Sequence, residues 1–238
     1  MKIAVISNDT RIISDESDGI SGAKDGMAQA GMLRVAAIFP AASIEWVRLQ
    51  NPDQGQQHSD IDLFIDLDFT MDPDRIEKLG RHLPAPILIN AVVPTLREIQ
   101  HPFIRINAWP GFLERSIHEL VTPDETTALR IAGLYRQLGK QYKIVPDIPG
   151  MISARILATI INEAYYTLQE EVSTATEIDT AMKLGTNYPM GPFEWCERIG
   201  HENIYELLKV LSKTESRYLP AKTLKMAVGG IKILLKRN

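Results

Sequence analysis

The adjacent residues His118 and Glu119 combine two side chains that could act together as a general base. A carboxylate beside an imidazole fixes the ring tautomer and stabilises the charged form that appears when the ring accepts a proton. The run from Ile117 to Val121 is a candidate strand, and neighbouring side chains on a strand point to opposite faces. His118 and Glu119 therefore cannot form one dyad, and we interpret His118 as a surface histidine, with a catalytic role as the alternative.

Metal binding would need histidine, cysteine or carboxylate side chains at short, recurring intervals. The histidines are His58, His82, His101, His118 and His201. They show no such spacing with one another or with Cys196, so the sequence predicts no metal site. Cys196 is the only cysteine, which excludes an intrachain disulfide and favours a reducing compartment, so we expect a cytoplasmic protein.

Three glycines near the N-terminus, Gly19, Gly22 and Gly26, are spaced as G-x-x-G-x-x-x-G and could cradle a phosphate. They follow an acidic cluster, Asp15 to Asp18, whose charge would repel a phosphate. We therefore favour a flexible loop and helix start, and keep a phosphate loop as the alternative.

The formal net charge of −4 gives no sign of a general affinity for nucleic acid. Basic residues recur from Lys222 to Arg237 on an apolar helical background and could contact a CoA phosphate or a membrane surface, although a solvated helix face is the favoured interpretation. The first apolar run ends at Asn8, too early for a signal peptide, and no segment reaches membrane-spanning length. We expect neither nucleic-acid nor membrane partners.

Strand and helix patterns alternate along the first 145 residues, which favours a parallel sheet. Helical spacing predicts helices over 25–39 and 72–83, with Pro73 at the first helical position, and a helix that starts near Thr122 and that Gly139 ends. The predicted strands are Lys2 to Ser7, Ile44 to Leu49, Asp60 to Leu67, Ile87 to Val93, Ile104 to Ala108, Ile117 to Val121 and Lys143 to Val145.

From Pro149 onward the pattern changes to long helices without strands, so we predict a domain boundary within 146–150. The first helix carries an apolar stripe and is predicted to face a core or a dimer partner. The stripe recurs every fourth residue, at Ile152, Ile156, Ile160, Ala164 and Leu168, with Leu157 and Ile161 beside it.

Further helix boundaries can be predicted in this half of the chain. Thr174 and Glu177 have the spacing of a capping box, and Gly185 is predicted to end the helix that they start. Gly191-Pro192 is predicted to start another helix.

Several short motifs in this half are specific enough to suggest a family. They are DIPG at 147–150, NEA at 162–164, EIDTAMKLG at 177–185, YPMGPFE at 188–194 and ESRYLP at 215–220. In sequence and order they resemble the C-terminal domain of 3-hydroxyacyl-CoA dehydrogenases, especially those of the short-chain, 3-hydroxybutyryl-CoA type.

This resemblance implies an α/β protein with two domains. Residues 1–146 would form a Rossmann-like parallel sheet that binds NAD, and residues 147–238 an all-α domain like that of 6-phosphogluconate dehydrogenase. The implied activity is the oxidation of a 3-hydroxyacyl-CoA in fatty-acid metabolism. The implied assembly is a homodimer formed through the helical domain.

The resemblance also points to site residues. Glu119 corresponds to the family's catalytic Glu, and Asn107, twelve residues earlier, stands where the family has its catalytic His. Asp66 falls at an acidic cofactor-side position. Ala154 and Arg155 stand at the family's substrate-orienting Asn-Arg pair. Further family residues are also replaced. SNDTRI follows the first strand in place of a G-x-G-x-x-G turn, and Leu49-Gln50-Asn51 ends the second strand without an acidic residue. Asn90 to Val93 stand at the family's serine stretch.

Three interpretations follow from these residues. The first is an NAD-dependent dehydrogenase with an altered site. The second is a non-catalytic protein that binds an acyl-CoA ligand or regulates a partner. The third is a dimer with a purely structural role. Asn cannot accept a proton at neutral pH, which favours impaired or absent turnover.

Overall fold

A computed structural model describes residues 1–8, 44–58 and 60–229 of the chain. The chain divides into two compact units, Met1–Ile148 and Pro149–Asn238. The predicted helix over 25–39, the three spaced glycines and the end of the basic C-terminal segment lie outside the described residues.

Within the first unit, the described strands form one mixed sheet with the order β2-β1-β3-β4-β5-β6-β7. All neighbouring pairs are parallel except β5 with β6, which confirms the predicted parallel arrangement for most of the sheet. The strands are β1 (Lys2–Ile6), β2 (Glu45–Leu49), β3 (Leu63–Asp66), β4 (Ile87–Asn90), β5 (Ile104–Ile106), β6 (Ile117–Val121) and β7 (Gln141–Ile144).

The described helices of this unit start and end where side chains or backbone satisfy their terminal groups. They are α1 (Pro73–Gly80), α2 (Leu96–Ile99) and α3 (Glu125–Gln137), with a 3-10 helix at Pro52–Gln57. Pro73 occupies the first turn of α1, as predicted. After α3, Gly139 has a φ of 65°, and the Lys140 amide donates to the Tyr135 carbonyl, which is the Schellman pattern and confirms the predicted stop.

The sheet is buried on both faces, as its apolar strands require. One face packs Ile3, Val5 and Leu120 against Ile131 and Tyr135 of α3. The other face packs β-strand residues such as Ile6 and Ile89 against α1 and α2. Side chains that do chemistry must therefore lie at the ends of the strands, because both faces are filled.

The second unit is helical, as predicted. Its helices are α4 (Ser153–Gln169), α5 (Ala175–Thr186), α6 (Pro192–Ile199), α7 (His201–Leu211) and α8 (Lys222–Val228), with a 3-10 helix at Ser216–Tyr218. Among the described helices of both units, none has the length and apolarity needed to span a bilayer.

The helix boundaries of this unit confirm two predictions and correct one. Thr174 and Glu177 form the predicted capping box of α5, and Gly191-Pro192 starts α6. Gly185 does not end α5: the helix continues to Thr186, and Asn187, in the left-handed region with φ 55°, ends it. Asn tolerates this conformation better than other non-glycine residues, so it can replace glycine at a helix end.

The apolar stripe predicted on α4 faces the core only in its C-terminal part. Ala164 and Leu168 are buried, whereas Ile152 and Ile156 are 46% and 56% exposed. A four-residue repeat advances 400° around a helix of 3.6 residues per turn, so the stripe drifts off the core-facing side. Ala154, Leu157, Ala158 and Ile161 complete the buried face.

Candidate active site and its surroundings

Five strands of the first unit, β1 to β5, are parallel, so their carboxyl ends lie along one edge of the sheet. We call this the carboxyl edge. It carries Asn8, Asp68, Asn90 and Asn107, each of which directly or closely follows one of these strands. In open α/β sheets ligands bind outside this edge, so these are the side chains placed to meet one.

The structure brings Asn107 and Glu119, the two predicted catalytic positions, to neighbouring strands. In the antiparallel pair of β5 and β6, Arg105 is opposite Val121 and Ile106 is opposite Leu120. Continuing this register by one residue sets Asn107 opposite Glu119. Opposite residues of an antiparallel pair share a face, so both side chains lie on one side of the sheet.

Asn107 is a buried carboxamide whose donor group is not used. Its side chain is 4% exposed, and its Oδ1 accepts the backbone N–H of Trp109 at 3.3 Å. Its Nδ2 is buried and has no hydrogen-bond partner among the described residues. A buried N–H without an acceptor costs roughly 1–3 kcal/mol, so an acceptor on a ligand would stabilise this position.

Glu119 lies near the Arg115 guanidinium, and its charge counteracts part of the burial that lowers the pKa of Arg115. Arg115 in turn stacks on Phe112 at 4.1 Å from the ring centroid. Phe112 meets Trp109 edge to face, with ring centroids 6.4 Å apart. An aromatic and cationic loop, residues 109–115, therefore stands beside Asn107 and Glu119.

Asn90 holds the backbone around Asn107 in place. Its Nδ2 donates to the Leu67 carbonyl at 3.2 Å, and its Oδ1 accepts the Ala108 N–H at 3.0 Å. One carboxamide thus connects the ends of β3, β4 and β5. Asn90 belongs to the stretch that stands at the family's serine position, and its place at the end of a buried strand was the signal for a positioning role.

His118 is a core residue, and its interpretation as a surface histidine is wrong. It is 2% exposed, on the face of β6 opposite to Glu119. Its Nε2 lies 2.8 Å from the Leu113 carbonyl and its Nδ1 3.2 Å from the Tyr135 hydroxyl. The alternation of side chains along β6 separates it from Glu119, as predicted, but α3 covers this face and leaves no surface.

Asp66, the predicted cofactor-side residue, forms an ion pair instead of facing a ligand. It is fully buried and accepts from Arg75 Nε at 2.8 Å and Nη2 at 2.5 Å. Its Oδ1 also accepts the Asp68 N–H at 3.1 Å. Burial raises the pKa of the Asp66 carboxyl, and the Arg75 guanidinium opposes that rise. Both oxygens are committed to the protein.

The end of β1 is where the resemblance would place the pyrophosphate of NAD. Here the Asn8 N–H donates to Asp68 Oδ2 at 2.6 Å, and the Ser7 hydroxyl donates to Asp68 Oδ1 at 3.4 Å. A carboxylate thus occupies the donors that a phosphate would need, and like charges repel. Among the described residues, Asp68 therefore uses the donors at the end of β1.

Arg105 is a fully buried guanidinium that ties together the segments behind the site. It donates to the Ala91 carbonyl at 2.8 Å, to the Val92 carbonyl at 3.0 Å and to the Asp147 carboxylate. Asp147 also accepts the Leu96 and Arg97 amides at the start of α2. The Asp of the DIPG motif is therefore an anchor within the first unit.

Ala154 and Arg155, the predicted substrate-orienting positions, lie at the start of α4 in the second unit. Ala154 is fully buried and offers only a methyl group. Arg155 stacks over Tyr218 at 5.4 Å from the ring centroid, and its buried Nε has no hydrogen-bond partner among the described residues. Within residues 1–8, 44–58 and 60–229, no group of three His, Cys, Asp or Glu side chains could hold a metal ion.

A mixed, mostly parallel sheet followed by a helical unit is the architecture of Rossmann-like dehydrogenases with a helical C-terminal domain. Residues 150–231 match the family model "3-hydroxyacyl-CoA dehydrogenase, C-terminal domain". The second unit therefore carries a 3-hydroxyacyl-CoA dehydrogenase C-terminal domain over residues 150–231.

Curated relatives agree with this assignment over part of their length. The 3-hydroxyadipyl-CoA dehydrogenase of Escherichia coli K12 is 38% identical over 129 residues, 53% of this chain and 27% of that protein. A probable 3-hydroxybutyryl-CoA dehydrogenase of Bacillus subtilis is 39% identical over 114 residues, 47% of this chain and 39% of the relative. The chain therefore aligns with about a quarter to two-fifths of these relatives.

Solved structures extend the likeness to the sheet unit. The (S)-3-hydroxybutyryl-CoA dehydrogenase PaaH1 of Ralstonia eutropha superposes with a TM-score of 0.63 at 25% identity, covering 79% of this chain and 70% of that one. FadB2 of M. tuberculosis superposes with a TM-score of 0.64 at 19% identity, over 78% of this chain and 70% of that one. The second likeness concerns the fold alone.

Proposed function

We propose that this chain binds an acyl-CoA ligand without oxidising it, as a family member whose dehydrogenase turnover is lost. The observation that carries the proposal is Asn107: a buried carboxamide, with an unused N–H donor, at the position of the catalytic His. A carboxamide can donate a hydrogen bond to a carbonyl or hydroxyl oxygen, but it cannot take the proton that oxidation of an alcohol releases.

Loss of the base alone has a large effect on rate. A positioned general base contributes roughly a hundred- to ten-thousand-fold, and the Asp68 carboxylate, which follows β3 and accepts the Asn8 N–H at the end of β1, would also oppose cofactor binding. Hydride transfer needs the general base and bound NAD at the same time. The loss of the base and the opposition to cofactor binding therefore affect the same step. Ligand binding needs neither a base nor NAD.

The test separates turnover from binding. We expect no NADH from 3-hydroxybutyryl-CoA and NAD, and a measurable heat when acetoacetyl-CoA is titrated into the protein. Asn107→Leu, which keeps the size and removes the donor, should weaken acetoacetyl-CoA binding about tenfold. Asn203→Leu, which removes a carboxamide from α7 in the other unit, is the matched control.

Two outcomes would contradict this proposal. NADH formation by the wild-type protein would restore the dehydrogenase interpretation. No heat with acetoacetyl-CoA, together with no thermal stabilisation by it, would remove ligand binding and leave the structural interpretation.

A homodimer formed through α4 is a further part of the proposed function. Ile152 and Ile156 present apolar side chains to solvent on one side of that helix, and a paired copy would bury them. A reducing compartment such as the cytoplasm suits Cys196, a buried free thiol whose pKa burial raises to about 12.

A further inference from the structure

The crevice at the carboxyl edge between β1 and β3 is closed by the protein itself. The strand order places β2 on one side of β1 and β3 on the other, so the chain reverses direction in the sheet between β1 and β3. In open α/β sheets, nucleotides bind outside the carboxyl ends of the strands at such a reversal. Here Asp68 reaches from the end of β3 to the Asn8 amide at the end of β1.

Asp66 and Arg75 fix the backbone position of Asp68. Its backbone N–H donates to Asp66, whose carboxylate is held by both the Nε and Nη2 of Arg75. Ser7, 1% exposed, adds its hydroxyl to the contact from β1. These hydrogen bonds fix the position of the Asp68 carboxylate relative to the ends of β1 and β3.

The contact satisfies the same donors that a phosphate would. A backbone N–H at the end of the first strand and a neighbouring hydroxyl are typical partners of a nucleotide phosphate. A carboxylate oxygen at 2.6 Å is a strong acceptor for that N–H. A phosphate arriving here would lose this donor to Asp68 and would also meet its negative charge.

We infer that Asp68 is an intramolecular competitor of nucleotide phosphates, which closes the crevice between β1 and β3 and excludes NAD from this sheet. This inference names the group that excludes the cofactor, and it is independent of acyl-CoA binding. The charge at Asp68, in addition to the absent glycine turn, should therefore lower the affinity of this chain for NAD.

The test uses NADH and inorganic pyrophosphate as probes on the full chain, measured by calorimetry. We expect the wild-type protein to bind NADH more weakly than about 1 mM. Asp68→Ala removes the charge and frees the Asn8 N–H, and should tighten NADH binding about ten- to a hundredfold. Asp68→Asn, which removes the charge and keeps an acceptor, should give a smaller gain in the same direction.

The matched control is Asp62→Asn, since Asp62 is an exposed carboxylate that accepts the Lys2 amide at 2.8 Å at the opposite edge of the sheet. It changes the net charge by the same amount and should leave NADH binding unchanged. Micromolar NADH binding by the wild type, or equal affinities for the Asp68 variants and Asp62→Asn, would overturn the inference. Thermal melting establishes that each variant is folded, and Asp68→Asn serves if Asp68→Ala is not.

Discussion

His118 shows what a single buried titratable residue does to the stability of this protein. Burial lowers its pKa from 6.5 to about 4, because the imidazolium would lose its hydration beneath α3, while the contact with the Leu113 carbonyl opposes the shift. The unfolded chain binds a proton near pH 6.5 and the folded chain does not. The stability that His118 contributes is therefore complete above pH 6.5 and is lost progressively as the pH falls to 4.

This effect can be measured by urea unfolding at two pH values. Between pH 7 and pH 5 the titration of His118 should lower the free energy of unfolding by about 2 kcal/mol. His118→Gln removes that titration and should flatten the pH dependence by this amount. Equal slopes for the wild type and His118→Gln would contradict the assignment.

At the residue scale, candidate site positions could be predicted from the sequence, but the side chains that they contact could not. Asn107 and Glu119 were predicted as site positions from the family resemblance and a spacing of twelve, and the register of β5 and β6 sets them opposite each other. Asp66 was predicted as a cofactor-side residue, but its pairing with Arg75, nine residues later, depends on how α1 returns across β3. His118 was misassigned because α3, which covers its face of β6, comes later in the chain. The residues around His118 do not indicate this covering.

At the element scale, the junction of α5 and α6 explains why the segment YPMGPFE contains its glycine. Asp179 of α5 accepts the amides of Phe193 at 2.8 Å and Glu194 at 3.2 Å, and so caps α6. A Cβ on Gly191 would lie 2.3 Å from the Asp179 carboxyl group. Only glycine leaves room for a side chain of one helix to cap the next.

Gly191→Ala should therefore lower the free energy of unfolding by about 3 kcal/mol, through overpacking and loss of the cap. Gly185→Ala is the control on the same helix pair: a Cβ there meets nothing within 4 Å. Because Gly185 is in the interior of α5, alanine should stabilise by roughly 0.5–1 kcal/mol. Chemical denaturation of the two variants tests both signs, and similar effects for both would refute the steric explanation.

Local signals predicted most helix starts, because capping depends on residues three apart, as with Thr174 and Glu177. The end of α5 was predicted two residues early, since a glycine inside a helix and a glycine after one look alike in sequence. Strand lengths were overestimated at Asp60 to Leu67 and at Ile87 to Val93. Hydrogen bonding to neighbouring strands, which the sequence does not contain, decides where β3 and β4 end.

At the scale of the whole molecule, the proposed homodimer depends on the exposed side of α4. Ile156→Asp would place a charge in the proposed interface and should weaken dimerisation about a hundredfold or more. Leu129→Asp is the control, because Leu129 is 70% exposed on α3 in the first unit. Light scattering after size exclusion gives the mass of each species, and a wild-type monomer at all concentrations would exclude the dimer.

Arg105 determines where this chain can be divided into fragments. A sheet fragment that stops at Pro146 would lack the carboxylate of Asp147 and leave a fully buried guanidinium without its counter-charge, which costs several kcal/mol. A fragment that continues to Ile148 keeps that carboxylate and the Ile148 carbonyl, which accepts from Arg105 Nη2 at 3.3 Å. The first residues of the DIPG motif are thus the last residues that an independently expressed sheet unit needs.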